Sequence, residues 1–279
     1  MEAYRVKKVL NNNVLIAIID DEEVILIGKG IGFNRKKDSA VPSTEAEKVF
    51  VLKNEKEQRS YLTLLPNVEK PLLDVTIEAI ELISKRLGAP LNEHIHVGLM
   101  DHLSFAQSRT AAGLHISNPF LTETRLLYPN EYAIAVEVLH LIEERLHMKM
   151  QPEEAGFIAL HIHSAVKNKD LGTVNAHSQL VSKLLGIIEE QLDIVLDKES
   201  IDYMRLVRHL RFTIERVENN EEVEEAKAID TLLKQEYPLC YNLSWKLIKI
   251  MQHSLGKPVF DAEAVYLTMH LQRVQHKYK

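Results

Sequence analysis

A short stretch that occurs twice most constrains the fold of this chain. The sequence RHLRF at 208–212 has an earlier counterpart, DHLSF, at 101–105. Two further landmarks return at almost the same separation: Tyr128-Pro129 recurs as Tyr237-Pro238, and ALHI at 159–162 recurs as TMHL at 268–271. Because three landmarks share a nearly constant separation, we infer two tandem copies of one domain.

Each copy carries two histidines at equivalent places, His102 and His161 in the first and His209 and His270 in the second. A single histidine on an apolar helical face is more often a packed core residue than a functional one. Here the imidazoles recur while the residue before the early histidine changes from acidic to basic. Packing alone would not require that combination, so the four histidines are candidate functional residues.

Composition limits the class of protein. The 279 residues, 46% hydrophobic and 27% charged, are enough for two or three domains with cores. A net charge of −6 confines any nucleic-acid site to a local patch. The lone Cys240 excludes an internal disulfide framework and fits a reducing compartment. The apolar run 14–19 is too short to span a membrane, so we expect a cytoplasmic protein without membrane insertion.

The N-terminal segment 1–57 predicts a small antiparallel β module. Short segments rich in Val, Ile and Leu favour strands over 4–10, 13–20, 23–28 and 48–52, with a hairpin turn at 20–22 and a break at 11–13. Four short strands could hardly bury a core alone. We therefore expect the module to pair with a second copy across a two-fold axis.

From about residue 66 the apolar spacing of three and four predicts helices. We expect them over 68–87, 92–109, 131–147, 153–167, 179–192, 198–217, 222–236, 242–255 and 261–275. Asn92 is the expected N-cap of the second helix, and the polar segment 168–176 with Gly172 is the expected joint. The predicted fold is therefore a multi-domain chain, with the β module at 1–57 and two all-α helical-bundle repeats at 66–171 and 177–279.

The sequence gives little support for metal binding or for enzymatic catalysis. The pairs His94/His96 and His161/His163 resemble ligand pairs, but residues two apart on a helix point about 200° apart. The chain has no HExxH, no cysteine pair, no GxSxG, no P-loop and no dinucleotide turn. We therefore expect no metal, no cofactor and no enzymatic activity.

A repeated histidine can instead accept a phosphoryl group on a ring nitrogen. The change replaces a neutral imidazole with a group of roughly two negative charges. At a helix interface such a charge either meets cations or forces the faces apart. Phosphorylation of His102, His161, His209 and His270 would make the two copies a switch rather than an active site.

The β module carries a group of residues suited to RNA. For each of them singly, turn chemistry or a solvated basic loop is the more ordinary explanation. Together they offer amides for base edges, glycines for close backbone approach, cations for phosphates and an aromatic ring for stacking. The candidates are Lys8, Asn11, Asn12, Asn13, Gly28, Lys29, Gly30 and Phe33, followed by the basic run Arg35-Lys36-Lys37.

The combined motifs resemble those of bacterial transcriptional antiterminators of the BglG/SacY type. They are KVLNNNV at 8–14, GKGIGF at 28–33, DHLSFA at 101–106, GFIALH at 156–161, RH at 208–209 and YLTMH at 266–270. In that family a co-antiterminator RNA-binding domain precedes two regulation domains of the sugar phosphotransferase system. The segments NEHIH at 92–96 and LHIH at 160–163 look most like the glucose-responsive branch.

The resemblance implies a homodimer that binds a bulged leader-RNA hairpin and blocks terminator formation at a sugar-uptake operon. It also implies phosphorylation of the four histidines by HPr or a sugar permease (enzyme II). Two alternatives remain: a phosphohistidine relay carrier, and a DNA-binding activator with the same regulatory repeats. The absence of a convincing helix-turn-helix in 1–57 counts against the second.

The two copies predict opposite responses to phosphorylation. Asp101 precedes His102, whereas Arg208 and Arg211 flank His209. Negative charge at His102 or His161 should therefore oppose RNA binding. Charge in the second copy should be neutral or favourable.

Overall fold

The computed structural model describes residues 3–20, 22–50, 59–60, 63–89, 91–222 and 227–278. The chain divides into two compact units. The first comprises Met1–Ile116 with Ile134–Asn168, and the second comprises Ser117–Ala133 with Lys169–Lys279. The sequence boundaries 66–171 and 177–279 differ from these units chiefly at 117–133, a segment that packs within the second unit.

The β module is an antiparallel sheet with strand order β4-β1-β2-β3-β5. Its strands are β1 (Ala3–Asn11), β2 (Val14–Ile19), β3 (Glu22–Ile27), β4 (Ala40–Pro42) and β5 (Lys48–Phe50). The sequence did not predict β4, because so short a strand leaves no alternation to detect. Tertiary pairing with the start of β1 holds it in place. Residues 51 and 52 of the predicted last strand, and Asp21 of the predicted turn, lie outside the described residues.

The central strands are buried on both faces within one chain. Leu15, Ala17, Val24 and Leu26 belong to a core cluster with Ile31. The alternate positions of β2 and β3, which face the other way, are buried as well: Val14, Ile16, Ile25 and Ile27. Burial of this sheet therefore does not by itself require a second copy, contrary to the expectation from its size.

Five helices occur twice in the described residues. The first set is α1 (Lys70–Leu87), α2 (His94–Ala111), α3 (Leu121–Leu127), α4 (Pro129–Leu146) and α5 (Glu154–Lys167). The second set is α6 (Leu171–Leu192), α7 (Ile201–Asn219), α8 (Lys227–Glu236), α9 (Pro238–Leu255) and α10 (Asp261–Tyr278). Helices α4 and α9 correspond at both ends, at the separation of the Tyr-Pro landmark that precedes each of them. The predicted fold class, a β module followed by two all-α repeats, is confirmed.

Helix ends account for a difference at the predicted joint. Asn168 ends α5 in the left-handed conformation, and Asp170 caps α6 by accepting a hydrogen bond from the Thr173 backbone N–H. The break therefore covers only 168–170, and Gly172 lies in the first turn of α6. The joint expected over 168–176 therefore lies at the start of that segment, because the capping carboxylate of Asp170 begins α6 within the polar stretch. At α2 the N-cap residue is Glu93, one position after the predicted Asn92, whose Oδ1 accepts from the His94 N–H at 3.0 Å.

Helix α3 was not predicted, because a helix of two turns shows too little periodicity. It contacts α6 and α7 within the second unit. Glu123 on α3 is buried and accepts hydrogen bonds from the Tyr203 hydroxyl at 2.7 Å and the Lys198 ammonium at 3.1 Å. These tertiary contacts define the helix. Within the described ranges, no helix combines the length and apolar character needed to cross a membrane.

Candidate functional sites

The first histidine pair lies where α2 packs against α5. The ring centroids of His102 and His161 are 5.2 Å apart, with the planes tilted by 45°. His161 is buried at 8% exposure, and the His102 side chain is 13% exposed. Phe157 lies 5.7 Å from the His102 ring. Two sequence-predicted sites on separate helices are therefore one site in space.

A buried ion pair borders this first site. The Glu154 side chain, 2% exposed, lies with Oε1 2.5 Å from Arg109 Nη2 and Oε2 2.9 Å from His102 Nε2. The second contact lies outside hydrogen-bond geometry, so both Glu154 Oε2 and His102 Nε2 are without a hydrogen-bond partner among the described residues.

The second histidine pair repeats the arrangement between α7 and α10. The ring centroids of His209 and His270 are 4.6 Å apart. Glu263 is 1% exposed, receives hydrogen bonds from Arg216 at 2.7 and 2.9 Å, and accepts one from the Thr213 hydroxyl at 2.8 Å. Its Oε2 lies 3.8 Å from His209 Nε2.

The acid–arginine pair is duplicated along with the histidines, and sequence reasoning missed it. Glu263 follows Glu154 at the separation that relates the two late histidines. Arg216 follows Arg109 at the separation that relates the two early histidines. Matching every charged residue at these two separations would have found all four residues.

Burial lowers the pKa of three histidines of the two pairs, His161, His209 and His270. It lowers the pKa of His161 to about 3, assisted by His102 and His94. It also lowers the pKa of His209 to about 3, assisted by His270 and Arg216. The pKa of His270 is lowered by burial and then by Arg273 and Arg205. A neutral ring retains the nitrogen lone pair that attack on phosphorus requires.

Glu154 stays ionised beside the first pair. Burial acts to raise the pKa of this carboxyl, but His102 and Arg109 together outweigh burial and hold the pKa below its ordinary value. A carboxylate therefore faces His102 at neutral pH. A phosphoryl group added there would meet a fixed negative charge.

The two sites differ in their outer cations. Arg205 and Arg273 act on His270. The equivalent residues in the first copy, at the separations of the early and the late histidines, are Gly98 and Ser164. Proximity in sequence points instead to Arg208 and Arg211 as the cations of the second site.

In the structure, Arg208 and Arg211 are not the cations of the second site. Arg211 binds Glu215 at 2.9 Å and the Leu127 carbonyl, and stacks near Tyr128. Arg208 is exposed. Helical neighbours in sequence point in different directions, so the cations near His209 and His270 come from other turns of α7 and from α10.

The remaining members of the His94/His96 and His161/His163 pairs are at least partly buried. His94 Nε2 lies 3.0 Å from the Ser164 hydroxyl. Burial lowers the pKa of His96, and His163 is 6% exposed. In the part of the chain that the structure describes, no group of three or more His, Cys, Asp or Glu residues is placed to hold a metal ion.

The predicted RNA-binding residues of the β module come together around one turn. The β1–β2 turn at 11–13 lies against the loop at 28–34. The Gly28 N–H donates to the Asn13 carbonyl at 3.0 Å, and the Gly32 N–H donates to the Asn12 carbonyl at 3.0 Å. The Asn13 Oδ1 accepts from the Gly30 N–H at 3.0 Å. Two separate sequence motifs thus form one surface.

Several of these residues hold the surface in shape. The Asn11 amide donates to the Leu65 carbonyl at 3.1 Å, and its Oδ1 accepts from the Asn13 N–H at 2.8 Å. Gly28 is buried, and a Cβ there would overlap the Glu45 carbonyl. Gly30 has φ +70°, which favours glycine. Arg35 is bound to Glu45 and to the Ala40 carbonyl, both at 2.6 Å.

Other members of the predicted set project outward. Phe33 is 63% exposed, so its ring is accessible for stacking on a base. The exposed polar members are Lys8, Asn12, Lys29, Lys36 and Lys37. Exposed cations beside an exposed ring and an exposed amide suit a single-stranded or bulged RNA.

Models of known protein families match the β module and each of the two helical copies. A model of the CAT RNA binding domain matches residues 4–59, and a model of the PRD domain matches twice, at 77–165 and 182–274. The chain belongs to the CAT–PRD antiterminator family. The resemblance inferred from the motifs is thereby confirmed.

The antiterminator has relatives that cover nearly its whole length. It is 51% identical over 276 residues to the PtsGHI operon antiterminator of Bacillus subtilis, covering 99% of this chain and 98% of that protein. It is 38% identical over 274 residues to the GlcA/glcB genes antiterminator of Staphylococcus carnosus, covering 97% and 96%. A crystal structure of GlcT CAT-PRDI matches 58% of this chain and 98% of that chain, at 50% identity and a TM-score of 0.52.

Proposed function

We propose that this protein is a cytoplasmic, dimeric antiterminator of the glucose-responsive branch, controlled by histidine phosphorylation. Its β module binds a leader-RNA hairpin and blocks terminator formation at a sugar-uptake operon. Phosphate reaches its histidines from HPr or from a sugar permease of the phosphotransferase system. The relatives named as antiterminators of ptsGHI and glcA/glcB support the branch. The duplicated His–His–Glu–Arg site is the observation that carries the regulatory part.

The phosphorylation step uses the acceptor histidines described above and a phosphohistidine of the donor protein. A ring nitrogen of the neutral histidine attacks phosphorus on a phosphohistidine donor. The new N–P bond forms as the donor's N–P bond breaks, and the donor imidazole leaves. The low pKa of His161 and His209 keeps the acceptor unprotonated at neutral pH. The product places about two negative charges beside a buried carboxylate.

That charge is the basis of the switch. In the first copy the phosphate on His102 would lie near Glu154, whose Oε1 already holds Arg109. Either Arg109 leaves Glu154 for the phosphate or the helices α2 and α5 separate. In the second copy Arg205 and Arg273 provide further cations near His270. We therefore assign inhibition to phosphorylation of the first pair and a neutral or activating effect to the second.

The RNA contacts divide into two kinds. Asn12, Asn13 and Phe33 specify the RNA through base edges and stacking, whereas Lys8, Lys29 and Lys36 neutralise phosphates. The backbone around Asn11, Gly28 and Gly30 shapes the surface that presents them. The bulged hairpin places unpaired bases within reach of such a surface.

Three assays test the RNA-binding part and the regulatory part of the proposal. The full chain is assayed for antitermination in vitro on a leader template, unmodified and after phosphorylation by purified donor proteins. Binding is compared between leader RNA and the matching duplex DNA at fixed salt. Preference for the duplex DNA would favour the activator alternative. A chase with an unlabelled third protein that drains the phosphate would favour the relay carrier.

A further inference from the structure

The second unit carries a cavity that neither the histidine sites nor the RNA surface uses. It has a volume of about 590 Å³ and lies between α6 and α9. Its lining includes Lys183 from α6, and Trp245, Lys246, Lys249 and His253 from α9. This size lies within the range of small-molecule sites.

The cavity is basic without internal compensation. Lys183, Lys246 and Lys249 are exposed, and no acidic residue is among its described lining residues. Within the ranges that the structure describes, none of the three lysines forms an ion pair. A cluster of unpaired ammonium groups in a chain of net charge −6 attracts anions locally.

The first copy shows that the fold does not need this charge. The two PRD matches begin at positions 77 and 182, which aligns α6 with α1. The matching bounds of α4 and α9 align those two helices in the same way. Lys183, Lys246 and His253 then correspond to Glu78, Glu137 and Glu144.

Two of the acidic counterparts are already paired. Glu78 binds Arg145 at 2.6 Å and Glu137 binds Arg86 at 2.7 Å. On the same helix face, acidic residues form ion pairs with arginines in the first copy, whereas the corresponding residues of the second copy are basic. At these three aligned positions, the basic character belongs to the second copy and is not required by the shared fold.

Trp245 gives the cavity an aromatic wall. It packs against a core cluster of Leu233, Tyr241 and Val265, and its ring lies 6.3 Å from that of Tyr241 in an edge-on arrangement. The indole is therefore anchored rather than free. An aromatic wall with several ammonium groups suits a ligand that has both a carbon skeleton and a phosphate.

We propose that the Lys183–Trp245–Lys249 cavity binds a small organic phosphate. The lysines hold the phosphate oxygens, and the indole contacts the carbon skeleton. The site lies in the second regulatory copy, and neither His209 nor His270 lines it. The proposal does not depend on antitermination, since it rests on this cavity alone.

Trp245 is the only tryptophan in the chain, so its fluorescence reports the cavity directly. The full-length protein is titrated at constant ionic strength with a hexose monophosphate, a hexose bisphosphate, the free hexose and sodium sulfate. We expect a saturable change with the phosphorylated sugars, with a midpoint below about 1 mM, and none with the free hexose. Lys183→Gln and Lys249→Gln should each raise the midpoint at least about fivefold.

A matched control uses Lys234→Gln, an exposed lysine of the same unit that does not line the cavity. Its titration should match the wild type. Trp245→Phe removes the fluorescence signal, so ligand binding to this variant is measured by calorimetric titration. Far-UV circular dichroism checks that each variant folds. Equal, unsaturable responses to sulfate and sugar phosphate, or midpoints unaffected by Lys183→Gln and Lys249→Gln, would overturn the proposal.

Discussion

Gly98 lies directly against His161: a Cβ at position 98 would come 3.0 Å from His161 Nδ1 and 3.3 Å from Cε1. The absence of a side chain on α2 thus gives the late histidine its place beside His102. The equivalent residue of the second copy is Arg205, next to a histidine pair with closer rings.

Gly98→Ala should displace the His161 ring by a few tenths of an ångström and slow its phosphorylation. The added methyl must be accommodated in a closely packed site, which typically costs about 1–3 kcal/mol. Gly186→Ala on α6 is the matched control, because a Cβ there meets nothing within 4 Å. That control should gain up to about 1 kcal/mol from helix propensity. Equal unfolding midpoints and equal phosphorylation rates for the two variants would contradict this interpretation.

Stability should fall as the pH drops below neutrality. Burial lowers the pKa of His161 and His209 from 6.5 to about 3, so between these values the unfolded chain binds protons that the native chain excludes. Stability therefore rises with pH across that window, by up to about 1.4 kcal/mol per pH unit for each histidine. Urea unfolding from pH 4 to 7 measures the slope.

Histidine substitutions test which groups produce the pH dependence of the free energy of unfolding. His161→Gln and His209→Gln should each flatten it, since one proton-binding difference is removed. His140→Gln, at a side chain that is 71% exposed, is the matched control substitution. A slope that survives both of the buried substitutions would show that other groups carry the pH dependence.

Charge at the two histidine pairs should act with opposite sign. His102→Asp and His161→Asp should lower antitermination in vitro relative to their alanine counterparts, because Glu154 faces position 102 and position 161 lies against position 102. His209→Asp and His270→Asp should be neutral or favourable. The alanine variants separate the effect of charge from lost packing. Full activity of both first-copy aspartates, with failure of the second-copy ones, would reverse the assignment.

Two arginines should account for the tolerance of the second pair. Replacing Arg205 or Arg273 with Gln removes a cation that acts on His270. His270→Asp should then become inhibitory in the Arg273→Gln background, although it is tolerated in the wild type. Arg208→Gln is the control, since this arginine is exposed and does not contribute to the pKa of either histidine. An equal effect of all three arginine variants would instead indicate a general charge effect.

Loss of Phe33 or Asn13 should reduce RNA binding more than loss of Lys36 or Arg35. Phe33 offers an exposed ring, and Asn13 both holds the Gly30 backbone and lies at the turn. Stacking on an aromatic ring contributes about 1–3 kcal/mol per base. Lysine variants should mainly reduce the salt dependence. Filter binding at several salt concentrations distinguishes the two, and equal, salt-dependent losses for all four alanine variants would argue against base contacts.

The sequence alone determined the repeat, the helical character of both copies, the β module and the four histidines. These features depend on local periodicity and on residue identity at a constant separation, and both can be read directly from the sequence. It also carried the signal for Glu154 and Glu263, at the same separation as the late histidines. The sequence did not predict the short elements β4 and α3. Contacts with residues distant in sequence stabilise them, and their own residue patterns are too short to detect.

Only the tertiary structure decided which charges meet. Arg211 lies nearer to His209 along the chain than Arg216 does, yet Arg216 binds Glu263 while Arg211 binds Glu215. The helical twist sends neighbouring side chains in different directions, and the packing of α10 on α7 selects one of them. The structure likewise buried both faces of the central strands in a single chain. Contacts between distant segments set burial and electrostatics, and a linear pattern does not contain those distances.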